Sequence, residues 1–357
     1  MFPQQDVSLS YEGKTELIQQ KDFYIGFPRG FVVSEGKQYI VCDSRAADFK
    51  IYDSSGVPLA KFGRKGYGPD EFISPWLHDY SNNMLLFSDT STEKLYIYEI
   101  SENLSFKKVY QLFATSVLDA KLMAESKQVL ICRFPIPDDP KKKTYFIVLT
   151  KTFDEKNTDY LLPFEIQLGK NAKPVDFDKL KKINPSNFPD FIILPPWKFC
   201  DYYNDDIYFV WTANLEPVRI NLITKQFTFF GEKTKNYIKP YVSSDFKQSY
   251  LEMNSKKYRS FISQMSWVSK IFVDSELLGI IFSNYDKLSS RWKAFLQIYD
   301  RTGRFLREEP LQNFSNSYDQ GNFFYDKKSK TLYCLSDSSS GDIGNYYIFK
   351  YKIILKK

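Results

Sequence analysis

One unit recurs six times along the chain, and this repetition constrains the fold more than any other feature. Each unit is an apolar strand ending in a polar residue, then a loop and a second apolar strand, as in YIVCDSRAADFKIYD and LLFSDTSTEKLYIYE. Most units follow one another at roughly 45–55 residues, the length of one four-stranded blade. With short strands completing each unit on both sides, the repeats predict an all-β fold, a six-bladed β-propeller of four-stranded antiparallel blades.

Two longer intervals predict insertions within a single domain that covers residues 1–357. They fall at about residues 163–199 and 231–264. The second contains Phe246, Tyr250, Met253 and Phe261 at near-helical spacing, which predicts an amphipathic helix packed on the ring. A ring must also be closed at its last blade. The alternating segment Lys14–Gln20 is predicted to supply the closing strand.

The charge of the chain argues against a nucleic-acid partner. The sequence has 49 basic and 43 acidic residues and a net charge of +6. Its densest basic run, Lys141–Lys143, directly follows Asp138 and Asp139, which cancel its field. A nucleic-acid surface instead concentrates basic residues on one face.

The sequence also predicts no transmembrane segment, because no apolar stretch approaches the roughly 18 residues that a span requires. The four cysteines have no CxxC spacing, and Cys42, Cys132 and Cys334 lie in apolar runs. We interpret them as buried thiols, which leaves the redox compartment open.

Several kinds of catalytic site lack the residues that they need. His78 is the single histidine, so a zinc site with several histidine ligands cannot form, and no G-x-S-x-G motif occurs. Carboxylates are plentiful, with the richest oxygen clusters at Asp201, Asp205 and Asp206 and at Asp337–Asp342. Calcium is therefore possible, the metal content stays open, and no other cofactor is predicted.

The polar residues that end the repeated strands are the candidate ligand contacts. In a four-stranded blade they begin loops that share one rim with the links between blades, so they should surround the channel mouth. They are Asp43, Asp89, Arg133, Trp211, Asn284 and Asp337. Asp and Asn at such places also satisfy backbone N–H groups in turns. Turn chemistry explains neither Arg133 nor Trp211, which makes these two the best candidates.

One short segment has a specific pattern. In FGRKGYGPDEF, Gly63, Gly66 and Gly68 precede Pro69 and Phe72. Glycines allow positive φ where the chain passes between blades, and proline fixes φ at the re-entry. The segment resembles the G-x-x-G-x-G-P-[GD]-[EQ]-F signature that links blades in NHL-like propellers. The chain is similar to six-bladed propeller proteins of the Bacteroidetes, many of them uncharacterised exported proteins or lipoproteins.

The predicted function is a non-catalytic binding or scaffold propeller for a glycan, a peptide or a protein. The resemblance implies a periplasmic or cell-surface location after removal of an export signal, and a cytoplasmic location is the alternative. The alternative function is a propeller hydrolase or lactonase that uses carboxylates and a divalent cation. The sequence favours binding over catalysis and leaves the ligand open.

Overall fold

The part of the chain that the structure describes is built mainly from short antiparallel strands. The computed structural model describes residues 6–114, 117–123, 125, 127–133, 145–149, 175–176, 198–211, 214–221, 223–224, 226–232, 234–239, 245, 255–316, 322–337 and 345–356. Within these ranges the strands form six four-stranded antiparallel sheets and one two-stranded parallel ribbon.

The N-terminal half of the described chain contributes β1 (Asp6–Leu17) and three sheets. The first sheet contains β2 (Pro28–Val33), β3 (Tyr39–Asp43), β4 (Asp48–Tyr52) and β5 (Pro58–Phe62). The ribbon β6 (Arg64–Lys65) and β7 (Glu71–Phe72) follows. The second sheet contains β8 (Pro75–Ser81), β9 (Met84–Asp89), β10 (Lys94–Ile100) and β11 (Phe106–Phe113). The third contains β12 (Val117–Met123), β13 (Gln128–Arg133), β14 (Tyr145–Leu149) and β15 (Val175–Asp176).

The C-terminal half contributes three sheets and a helix. The fourth sheet contains β16 (Lys198–Tyr203), β17 (Asp206–Trp211), β18 (Asn214–Asn221) and β19 (Phe227–Phe229). Helix α1 (Ser255–Ile262) precedes the fifth sheet, which contains β20 (Trp267–Val273), β21 (Leu277–Asp286), β22 (Arg291–Asp300) and β23 (Phe305–Pro310). The sixth contains β24 (Asn322–Asp326), β25 (Thr331–Asp337), β26 (Tyr346–Lys356) and β1.

The first strands of the six sheets surround a central channel. They contact one another in the cyclic order β2, β8, β12, β16, β20, β24 and again β2. Apolar faces of neighbouring sheets pack against each other, as in the cluster that contains Phe49 and Phe62 of the first sheet and Phe87 and Tyr98 of the second. Radial packing of this kind is the architecture of a β-propeller with four-stranded antiparallel blades.

The N-terminal strand closes the ring. β1 pairs with β26 from Asp6↔Lys356 to Leu17↔Tyr346, so the outer strand of the last sheet comes from the opposite end of the chain. The sequence predicts a closing strand at Lys14–Gln20, and the structure confirms the strand but starts it earlier, at Asp6. The alternation of apolar and polar residues that predicts this strand continues towards the N-terminus through VSLSYEG.

Local turn chemistry sets the strand register. Asn82 and Asn83 both have positive φ, of 50° and 60°, as the two-residue type I′ turn between β8 and β9 requires. Gly56 lies in the turn between β4 and β5 with φ of 88°. A Cβ atom there would lie 1.8 Å from the carbonyl oxygen of Glu16, so both the backbone angle and the close approach of β1 require glycine.

The two predicted insertions are described to different extents. Most of residues 163–199 lies outside the described residues. In the 231–264 segment, α1 packs Ile262 against Trp267 and Trp292, and the indole N–H of Trp267 donates to the carbonyl oxygen of Ile262 at 2.8 Å. The predicted helix therefore exists at Phe261, whereas Phe246, Tyr250 and Met253 lie outside the described residues. No helix in the described ranges is both long and apolar enough to span a membrane.

Candidate functional site

The candidate site is a cavity of about 560 Å³ in the central channel, which we call the channel cavity. First strands supply most of its wall, with Asp79 from β8, Lys121 from β12, Asp201 from β16 and Lys270 from β20. Its size is within the range of roughly 300–1,000 Å³ typical of small-molecule sites. The site is therefore a ring of charged side chains from consecutive blades.

The cavity opens at the rim formed by the hairpins between first and second strands. Glu35 and Lys37 from the β2–β3 hairpin, Ser81 from β8–β9, and Lys327 and Lys328 from β24–β25 line this mouth. Aromatic side chains of the wall are those of Tyr80, Tyr202, Phe272, Phe324, Tyr325 and Tyr333. The lining combines apolar rings with polar groups of both signs, which suits a ligand that is itself part polar and part apolar.

The carboxylates of the first strands tie neighbouring sheets together. Asp79 accepts a hydrogen bond from the backbone N–H of Leu122 at 2.9 Å, in the next sheet. Asp201 accepts one from the N–H of Val273 at 2.8 Å, again in the next sheet. A carboxylate that accepts a backbone N–H group from the neighbouring sheet is fixed in place. These side chains therefore both line the cavity and connect neighbouring sheets.

A deeper group links three consecutive sheets. His78 Nε2 lies 2.8 Å from Ser88 Oγ, and His78 Nδ1 lies 3.8 Å from Asp119 Oδ1. Asp119 also accepts the N–H of Cys200 at 3.0 Å. This is the order of a Ser-His-Asp triad. However, Ser88 is only 2% exposed and none of the three side chains lines the channel cavity, so the group joins sheets rather than meeting a ligand.

Burial and neighbouring charges shift the pKa values of His78 and Asp119. Desolvation lowers the pKa of His78 below its usual 6.5, and hydrogen bonding to Asp119 only partly offsets it, so the ring is neutral at pH 7. Burial alone would raise the pKa of Asp119, but Lys270, His78 and Lys121 outweigh it and lower that pKa to about 2. Asp119 is therefore a permanent negative charge beneath the cavity.

The two wall lysines titrate in opposite directions. Burial disfavours the charge of Lys121, but Asp79, Asp201 and Asp119 more than compensate, and the pKa of Lys121 is raised. Lys121 Nζ lies 3.5 Å from Asp79 Oδ1. The pKa of Lys270 is lowered, first by burial and then by the positive charge of Lys121. Burial and the charge of Lys121 therefore disfavour the charged form of Lys270.

The strand-end residues predicted from the sequence lie at the opposite rim. Asp43 pairs with Pro28 and Asp89 with Pro75, so both second strands end where the first strands begin. The cavity, by contrast, is lined where the first strands end. The candidate contacts and the observed cavity therefore occupy different faces of the ring.

Asp43 and Asp89 anchor backbone in the same way in two sheets. Asp43 accepts the N–H groups of Gly26 and Phe27 at 2.8 and 3.0 Å. Asp89 accepts those of Ile73 and Ser74 at 2.8 and 3.1 Å. Each side chain is 1% exposed. The acid at the end of the second strand thus holds the chain that enters the first strand of its own sheet.

The remaining strand-end residues have a partner or lie outside the described side chains. Asn284 accepts from the hydroxyl of Ser266 at 2.6 Å, and Asp337 accepts from Arg291 at 2.6 Å. Arg133 and Trp211 end β13 and β17, but their side chains lie outside the described part of the structure. Ligand contact by these six residues stays a prediction, and the described side chains of Asp43, Asp89, Asn284 and Asp337 do not line the channel cavity.

The geometry of the glycine-rich link between the first two sheets indicates a structural role. Gly63 has φ of 84°, and a Cβ there would lie 2.8 Å from the ring of Phe72. Phe72 is 1% exposed and packs against Phe49 of the first sheet and Phe87 of the second. The N–H of Gly68 donates to Glu71 at 2.7 Å. Pro69 lies in this turn. The link thus places the ring of Phe72 between the two sheets.

Sequence reasoning missed the cavity side chains Asp79, Lys121 and Lys270. A usable signal was a charged residue in the middle of an apolar first strand, as in WVSKIFV. Of the two oxygen clusters that we identified, the one at Asp337–Asp342 lies outside the described residues after Asp337, and the side chains of the other point to different surroundings. Asp201 faces the cavity whereas Asp206 accepts from Asn221 at 2.9 Å. Among the described residues, no group of three or more His, Cys, Asp or Glu side chains is arranged to hold a metal ion.

The fold and its site define the class of this protein as an all-β propeller of four-stranded antiparallel blades with a charged cavity in its channel. No protein-family model matches the chain, and no curated protein matches it.

Comparison with solved structures gives the same class. A member of the DUF4221 family from Bacteroides vulgatus is similar, with a TM-score of 0.63, 12% identity, and 99% of this chain and 100% of that chain covered. A putative exported protein from Bacteroides fragilis is also similar, with a TM-score of 0.53, 15% identity, and 98% and 96% covered. At these identities the likeness establishes the propeller fold.

Proposed function

We propose that this chain is a six-bladed, NHL-like propeller that binds a small sugar or glycan unit in the channel cavity without transforming it. The observation that carries the proposal is the cavity itself, with its fixed ring of Asp79, Lys121, Asp201 and Lys270 beside exposed parts of aromatic rings. Sugars present hydroxyl groups that both donate and accept, and charged groups of both signs on rigid strands match them. A preformed site of this kind keeps the entropic cost of binding low.

Two features support binding over the alternative hydrolase or lactonase. The wall carboxylates Asp79 and Asp201 are held by backbone N–H groups and by Lys121 and Lys327, rather than left to act as acid and base. Ser88, the serine next to the histidine, is out of reach of the cavity. Asp79 and Asp201 are therefore not free to act as an acid–base pair, and the Ser88 hydroxyl does not reach the cavity.

We further propose that the protein acts outside the cytoplasm, at the periplasm or the cell surface. The likeness to a protein titled as a putative exported protein supports this location, as does the glycine-rich link of the NHL-like pattern. Fractionation of cells that make the protein from its own gene tests the proposal. We expect the protein with the envelope fractions, and recovery only with the cytoplasm would contradict it.

Covering the mouth of the cavity tests the binding function. Lys328 lies exposed at the mouth, whereas Lys287 is exposed in the β21–β22 hairpin at the opposite rim. We expect Lys328→Trp to weaken binding to the best ligand of a glycan panel by about tenfold or more and Lys287→Trp to leave it unchanged. Mass spectrometry should recover that ligand intact. Equal binding by both variants, or consumption of the ligand, would contradict the proposal.

A further inference from the structure

The side chain of Lys270 has a position that the fold alone does not require. It lies in the middle of β20, between buried Ser269 and Ile271, and is itself half-buried against the channel cavity. Its neighbours along the strand are apolar or small. A charged ammonium on such a strand costs desolvation free energy unless something in contact with it offsets that cost.

The other lysines of the inner wall have such contacts. Lys121 pairs with Asp79 at 3.5 Å, and Lys327 pairs with Asp201 at 2.9 Å. For Lys270, the described residues provide no hydrogen-bond acceptor and no carboxylate within ion-pair distance. Its ammonium group is therefore the one inner-wall cation of the described cavity without a contact partner.

The nearby acids are held away from Lys270 by their own bonds. Asp119 accepts the N–H groups of Ala120 and Cys200 at 2.9 and 3.0 Å, and Asp201 accepts those of Tyr202 and Val273 at 2.9 and 2.8 Å. They attract Lys270 at longer range without contacting it. A ligand that replaces water in the cavity can therefore supply a contact partner for this ammonium.

We propose that the ligand of the channel cavity carries a carboxylate and that Lys270 binds it, so that the ligand is an acidic sugar of the uronate class. This inference rests on the proposed binding function. A monoanion suits the site better than a phosphate dianion, because Asp79, Asp119 and Asp201 would repel a second negative charge. Asp79 has spare acceptor capacity for sugar hydroxyl groups, since within the described ranges it accepts only from Leu122 and from the more distant Lys121.

The test compares three sugars that differ in charge. D-glucuronate, D-glucose and D-glucose 6-phosphate are titrated into the wild-type protein by calorimetry. We expect glucuronate to bind about tenfold more tightly than glucose, the effect of one charged hydrogen bond, and the phosphate to bind more weakly than glucuronate. Tighter binding of the phosphate, or the absence of glucuronate binding, would overturn the inference.

Two variants assign the preference to Lys270. Lys270→Met should abolish the preference for glucuronate over glucose, and Lys287→Met should behave as the wild type. Melting curves of both variants show that they are folded before their affinities are compared. If Lys270→Met keeps the preference, the inference is wrong. If glucose binds and Lys328→Trp blocks it but no preference for glucuronate exists, the binding function stands and the carboxylate inference alone fails.

Discussion

At the scale of single residues, buried charged side chains require particular partner residues in this fold. Lys50 is a clear case, because its ammonium lies 3.0 Å from Asp43 and also contacts Asp48, with the Lys50 side chain only 1% exposed. Burial raises the pKa of Asp48, whereas backbone N–H groups and Lys50 overcome burial and lower the pKa of Asp43. The lysine thus neutralises two acids at the β3–β4 turn.

Removal of this lysine should destabilise the protein strongly. Lys50→Met leaves two buried carboxylates without their cation, and we expect a loss of about 3–5 kcal/mol in the free energy of unfolding. Lys61, directly across from Lys50 on β5, is exposed and provides the control. Lys61→Met should change stability by about 0.5 kcal/mol or less. Urea denaturation of both variants measures the difference, and equal stabilities would contradict the assigned role.

The single histidine gives a pH prediction with a definite sign. The folded-state pKa of His78 lies below its unfolded value, so the unfolded chain binds a proton first as pH falls. The stabilisation is complete above about pH 6.5 and is lost as the pH falls from there towards the folded pKa. We expect the melting temperature to decrease between about pH 7.5 and 5.5 in the wild type and to decrease less in His78→Gln. Parallel pH profiles for the two proteins would show that His78 is not the cause.

At the scale of elements, the links between sheets matter as much as the strands. Gly63 combines φ of 84° with contact to the ring of Phe72, whereas Gly68 does not have positive φ and its nearest atoms belong to the flexible side chain of Glu71. We expect Gly63→Ala to cost about 1–3 kcal/mol and Gly68→Ala much less. Thermal unfolding of the pair measures this. A smaller cost at Gly63 than at Gly68 would show that backbone strain is not the reason for the glycine.

The closing strand β1 gives a second prediction at this scale. Deletion of residues 1–17 would expose the edge of β26, which pairs with β1 along its whole length. An unpaired edge is a template for aggregation, so we expect a melting temperature lower by about 5–10 °C and concentration-dependent association. Deletion of residues 1–5 alone, which keeps β1, serves as the control. Light scattering and calorimetry check both variants, and identical behaviour would contradict the closing role.

At the scale of the whole molecule, polar contacts join neighbouring sheets around the ring. Three carboxylates accept backbone N–H groups from the following sheet, those of Asp79, Asp119 and Asp201. Tyr325 donates to Asp274 at 2.6 Å. Asn322 accepts the N–H of Gly30 at 2.9 Å. These contacts fix the position of each first strand. They therefore hold the cavity wall in place before any ligand binds.

The sequence was sufficient to predict the propeller fold but not the channel cavity, and the reason is physical. Repeats, turn glycines and strand-ending acids report local geometry, and Asp43, Asp89, Gly56 and Gly303 have local environments that explain them. The charged ring of the cavity is assembled from four strands far apart in the chain. Residues such as Lys121 and Lys270 become neighbours only after ring closure, and no spacing along the sequence encodes that neighbourhood.

The most direct test of the account is a crystal structure of the protein with its best glycan-panel ligand bound. We predict density for the ligand in the channel cavity, between Asp79, Asp201 and Lys270, with the mouth at the rim of the β2–β3 and β24–β25 hairpins. Density at the opposite rim, beside Asp43, Asp89 or the strand ends Arg133 and Trp211, would contradict the central claim and return the site to the strand-end residues.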